Sequence, residues 1–139
     1  MTTTTTPTPT QRDTGPRFLR TALRVDGWGT GVFGVFLLAT APLLREPLGL
    51  PLPWSIPFGI AMLAGAAAIL RIAVHAEIPT RFVNTVVAVN AMSALAMVVL
   101  VFATVIPLTA WGIAFMLTGA AVVAVFATLE YVGLRRQNR

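Results

Sequence analysis

"RFVNTVVAVNAMSALAMVVLVFATVI", residues 81–106, decides the fold class. After Arg81 it carries no charge, and it exceeds the roughly 20 apolar residues that a helix needs to cross a bilayer. It lacks the ten-residue alternation of membrane barrel strands. Three further stretches read the same way: 24–44 ("RVDGWGTGVFGVFLLATAPLL"), 54–75 ("WSIPFGIAMLAGAAAILRIAVH") and 109–134 ("TAWGIAFMLTGAAVVAVFATLEYVGL"). Composition agrees. Of 139 residues 56% are hydrophobic and 11% charged, with a mean hydropathy of +0.81. A soluble domain carries about twice that charged share.

The connections are short. "REPLGLPLP" (45–53), "AEIPT" (76–80) and Pro107 break the helices. Short loops make sequence neighbours antiparallel neighbours. The expected fold is therefore an all-α, four-helix transmembrane bundle, up-down-up-down, over residues 17–139. Residues 1–16, "MTTTTTPTPTQRDTGP", offer almost nothing to bury and read as a disordered tail rather than a secretory signal.

The basic residues set orientation. All ten are arginine. Arg12, Arg17, Arg20 and Arg24 precede the first segment, Arg71 and Arg81 flank the second turn, and Arg135, Arg136 and Arg139 follow the last segment. Arg45 alone falls on the other side. The positive-inside rule places both termini in the cytoplasm and the protein in the cell membrane. The net charge of +5 therefore reads as topology, not as a nucleic-acid footprint. The absence of cysteine and lysine excludes disulfides, thiol catalysis and Schiff bases, and a single histidine excludes a multi-histidine metal site. No cofactor is implied.

Small residues offer packing faces. Gly27, Gly31 and Gly34 share one side of the first segment. They fit either packing within the chain or a homodimer or membrane partner.

The polar residues fall unevenly. Asp26, Thr30, Arg71, His75, Asn84, Asn90, Thr128 and Glu130 all lie in the cytoplasmic halves. A water-filled conduit needs polar lining throughout. This pattern predicts instead a pocket open to the cytoplasm and closed above by an apolar plug. Asp26 and Glu130 are the candidate catalytic pair, one protonated acid and one carboxylate base. Asn90 is a mid-membrane amide in need of a partner and a candidate for orienting a ligand. Arg71 and His75, spaced i, i+4, share a helix face; Arg71 is a candidate charge partner for the carboxylates. A plainer reading exists for Asp26, because a carboxylate at a helix start complements the dipole.

The stretches "LRVDGWGTGVFGVFLL" (23–38), "LGLP" (48–51), "VVAVNAMSALAMVVL" (86–100) and "FATLEYVGLRR" (126–136) resemble the small four-span membrane proteins of high-GC actinobacteria. The resemblance implies the fold and the compartment, and it transfers no site residue. Three functions fit the sequence. The first is binding of a lipophilic small molecule such as an isoprenoid, with isomerase or terpene-cyclase-like acid–base chemistry if the protein is an enzyme. The second is a noncatalytic accessory subunit. The third is a transporter or channel protomer.

Overall fold

The computed structural model describes residues 14–139, which form four helices and no strand: α1 (Thr14–Leu48), α2 (Leu52–Ala73), α3 (Thr80–Phe102) and α4 (Ala110–Gln137). Each is long and apolar enough to cross a membrane, as the four apolar stretches predict. The expected tail lies outside the described residues as far as residue 13; its last three residues, Thr14 to Pro16, form the first turn of α1. Proline is tolerated there, because no preceding turn requires its missing N–H.

α1 therefore starts ten residues before the apolar stretch. The reason is a second, amphipathic section, in which Leu19, Ala22 and Leu23 face the core while Arg17 and Arg24 stay exposed. At 35 residues α1 is about 52 Å long, against about 30 Å of hydrocarbon, so its first turns stand clear of the apolar layer.

α1 packs along α2 on one side and α4 on the other, α3 packs on α4, and α2 and α3 scarcely touch. The α1–α2 seam uses the glycine face. A Cβ on Gly27 would stand 2.7 Å from Leu70, one on Gly31 3.4 Å from Ala66, and one on Gly34 3.1 Å from Met62. Water does not drive helices together in lipid, so close backbone approach supplies the dispersion contacts instead. Gly27, Gly31 and Gly34 are thus occupied by α2. A homodimer or other partner expected on that face finds it filled.

The two ends are pinned differently. At the loop end, α1 stops at Gly49, whose φ of 63° is left-handed and whose missing side chain admits the Pro107 carbonyl. The last carbonyls of α1 are taken up by the start of α4. Thr109 donates its hydroxyl to the Pro47 carbonyl (2.6 Å) and its N–H to that of Leu48 (3.1 Å), and accepts from the Gly112 N–H (3.1 Å). Orphan carbonyls of one helix and an orphan donor of the next are met by one residue. At the terminal end, Gly15 meets the Arg136 carbonyl and Gly133 meets Leu19. Arg20 donates to the carbonyls of His75 (2.8 Å) and Ala76 (3.0 Å), and Gln137 to that of Ile78 (3.2 Å), which holds the 74–79 turn against the termini.

Two apolar layers fill the interior. Leu19, Leu23, Ile69, Ala73, Val83 and Leu134 meet at the terminal end. Leu37, Leu48, Leu50 and Ile106, with Phe58 and Phe115 against them, meet at the loop end.

The α1–α2 seam yields a paired prediction. Gly27→Leu should lower stability by about 2 kcal/mol through overpacking against Leu70. Gly29→Leu, a half-turn away with nothing within 4 Å, should change stability by no more than about 0.5 kcal/mol. Denaturant unfolding in detergent, followed by circular dichroism, measures both.

Candidate functional site

Between the two apolar layers lie two fully enclosed carboxyl groups. Asp26 is 2% exposed and Glu130 0%. Asp26 follows Leu23 by one turn on the inward side of α1. It sits in the fourth turn of that helix, so the expectation that it complements the dipole of a helix start is corrected: the start is at Thr14. Glu130 comes two turns before the end of α4, and its side chain leans toward the helix N-terminus, as all helical side chains do. In the antiparallel pair this lean carries it toward the level of Asp26.

Asn90 joins them. Its Nδ2 donates to Asp26 Oδ2 at 2.9 Å and to Glu130 Oε2 at 3.1 Å. The one amide nitrogen therefore uses both of its hydrogens across the bundle, from α3 to α1 and to α4. Thr30, one turn along from Asp26, donates to Asp26 Oδ1 at 3.0 Å. The shared amide nitrogen makes the two carboxyl groups neighbours across the α1–α4 pair. Glu130 Oε1 is buried without a donor. Such an orphan is uncommon in a folded interior and is costly in a medium of low polarity.

Of the residues singled out from sequence, the structure thus brings together Asp26, Asn90 and Glu130. It leaves Arg71 and His75 outside. Both are exposed; His75 lies in the turn beyond the end of α2, so the two do not share a helix face, and its Nδ1 contacts the Arg71 carbonyl at 2.8 Å. Arg71 stands at the height of Asp26, since Gly27 packs on Leu70, but on the outer face of α2; the inward positions belong to Ile69 and Ala73. No arginine among the described residues pairs with either carboxyl group. Arg71 is therefore corrected from a charge partner to a surface residue. Thr30 is the member that residue type alone does not single out; its i, i+4 spacing from Asp26 is the available signal.

A second correction concerns access. The expected opening toward the terminal end is filled by the layer of Leu19, Leu23, Val83, Val86 and Leu134. Asn90 is nevertheless only half-buried, and the loosest boundary of the bundle is the α2–α3 seam. An approach between α2 and α3 would not cross the apolar layer at the terminal end. Among the described residues no group of three or more histidine, cysteine or carboxylate side chains is arranged to hold a metal.

Comparison with protein-family models, with curated proteins and with solved structures finds no match to this chain.

The geometry ranks the polar residues by their contribution to the fold. Asn90→Leu strips donors from two carboxyl groups and should cost about 1–2 kcal/mol, at the upper end for membrane helix–helix hydrogen bonds, whereas Thr30→Val should cost about 0.6 kcal/mol. Arg71→Gln and His75→Ala should stay within about 0.5 kcal/mol of the parent. The same unfolding measurement orders all four.

Proposed function

We propose that this multi-pass membrane protein resides in the cell membrane with both termini cytoplasmic, and that it binds a lipophilic small molecule at Asp26, Asn90 and Glu130. The small four-span proteins that its sequence resembles are the proposed kin. The observation that carries the reading is the carboxyl group of Glu130, enclosed within the bundle with one oxygen lacking a donor. Ionisable groups in the hydrocarbon are expensive and are retained where they do something. A ligand hydroxyl would supply the missing donor. The α2–α3 seam is the route, and a molecule dissolved in the bilayer arrives there without crossing water.

The chemistry open to such a site is proton transfer. Two carboxyl groups gathered on one amide nitrogen can serve a bound molecule as acid and base. Asn90 orients both. This supports isomerisation, or protonation-started cyclisation, of an isoprenoid-like substrate, with Asp26 and Glu130 as acid and base. A transporter reading is less favoured, because apolar layers stand on both sides of the polar set.

A second reading also has an observation behind it. The three residues bond largely to one another, as a brace that only fixes helix register in an accessory subunit would. Asp26→Asn and Glu130→Gln separate the two readings. If the site binds, both variants keep their unfolding midpoint within a few degrees while the lipophilic molecules extracted from the purified protein, read by mass spectrometry, are depleted. If the site is a brace, stability falls and the extract is unchanged.

Orientation has its own test. The terminal end carries Arg17, Arg20, Arg24, Arg71, Arg81, Arg135 and Arg136 against Arg45 alone at the other end. A fluorescent protein fused after Arg139 should mature and fluoresce, whereas alkaline phosphatase fused there should stay inactive.

A further inference from the structure

One face of α1 meets no other helix. Val25 is 54% exposed, and Trp28 and Val32 are each 65% exposed. A groove of about 780 Å³ runs along this face, walled by Val25, Trp28, Val32 and Phe36, with Gly29 as its floor and Arg24 at one end. No atom lies within 4 Å of where a Gly29 side chain would begin, so the glycine leaves a notch in the helix surface.

Arg24, like Arg71, differs from most arginines at its end of the bundle. Arg20 is held by two turn carbonyls, and Arg81, Arg135 and Arg136 lie over the rings of Phe82, Tyr131 and Phe18. The exposed guanidinium of Arg24 makes no hydrogen bond, ion pair or ring contact among the described residues. It stands where the amphipathic start of α1 gives way to its apolar length, the level at which a headgroup lies.

We propose that this groove seats an anionic phospholipid, with one acyl chain along Val25 to Phe36 and the headgroup phosphate on Arg24. The lengths agree. From residue 24 to residue 36 the helix rises about 18 Å, and one leaflet of hydrocarbon is about 15 Å deep. The charges agree too, since a guanidinium forms paired hydrogen bonds with a phosphate. A second copy of the chain fits less well. A two-fold axis normal to the membrane would bring Arg24 against Arg24, an uncompensated like-charge contact. The site is independent of Asp26, Asn90 and Glu130, which face the bundle interior.

The full chain in neutral detergent, titrated with dioleoylphosphatidylglycerol or dioleoylphosphatidylcholine and read by native mass spectrometry, tests this. The first anionic lipid should bind about fivefold more tightly than the zwitterionic one, the contribution of one arginine at a charged lipid surface. Arg24→Gln should bring the two lipids level. Gly29→Leu, which fills the notch and leaves the charge, should weaken binding of the anionic lipid. Equal binding by the parent protein, or a preference that survives Arg24→Gln, overturns the proposal. So does a dimer that Gly29→Leu dissociates, because a second copy would then hold the face.

Discussion

The nitrogen of one side-chain amide ties three helices together. α1 and α3 stand diagonally across the bundle, and their backbones do not approach. The Asn90 amide spans that diagonal to Asp26 and reaches Glu130 on α4 with its other hydrogen. In water such a bond would compete with solvent; between apolar layers it has no competitor except an unsatisfied carboxyl group. The hydrophobic effect that assembles soluble bundles does not act between helices already in lipid. Glycine contacts fix how close the helices come. The amide fixes their rotation, because a turn of α3 in either direction would take Asn90 away from both acids and leave Asp26 with Thr30 alone.

This division of labour explains why the polar residues are so few and so placed. The α1–α2 seam sets Gly27, Gly31 and Gly34 against the apolar side chains of Leu70, Ala66 and Met62. The α1–α4 pair is held at its ends by backbone: Thr109 on the last carbonyls of α1, and Gly15 and Gly133 where the termini meet. α3 is fastened along one side only, to α4, where Met97 fills the space beside Gly119. The Asn90 bond to α1 therefore does for α3 what α2 does not.

Much of this was legible in the sequence, and the rest was hidden for identifiable reasons. Uncharged runs show spanning helices directly, since length and composition are what lipid selects. Asn90 stood out because an amide ten residues into a helix has no water to turn to. The start of α1 was obscured because its arginines read as a boundary, whereas the burial of Leu19 and Leu23 between them depends on α4 being present. Arg71 and His75 were grouped with the site by spacing. Spacing says that two residues share a face, but which face turns inward is decided by Ile69 and Ala73 packing on their neighbours. The closure of the terminal end was likewise invisible, because it is made by ordinary apolar side chains from all four helices.

The slack boundary between α2 and α3 bears on how the protein is made. Each hairpin, α1 with α2 and α3 with α4, has its own continuous seam and leaves the ribosome in that order. Asp26 belongs to the first hairpin; Asn90 and Glu130 belong to the second. For the interval between their synthesis the aspartate has Thr30 and no other side-chain partner. The polar set comes into being only when the later hairpin docks, so completion of the site and completion of the bundle are a single event. A nascent chain stalled after α2 would carry an exposed acid within the bilayer, a mark that quality-control machinery could read.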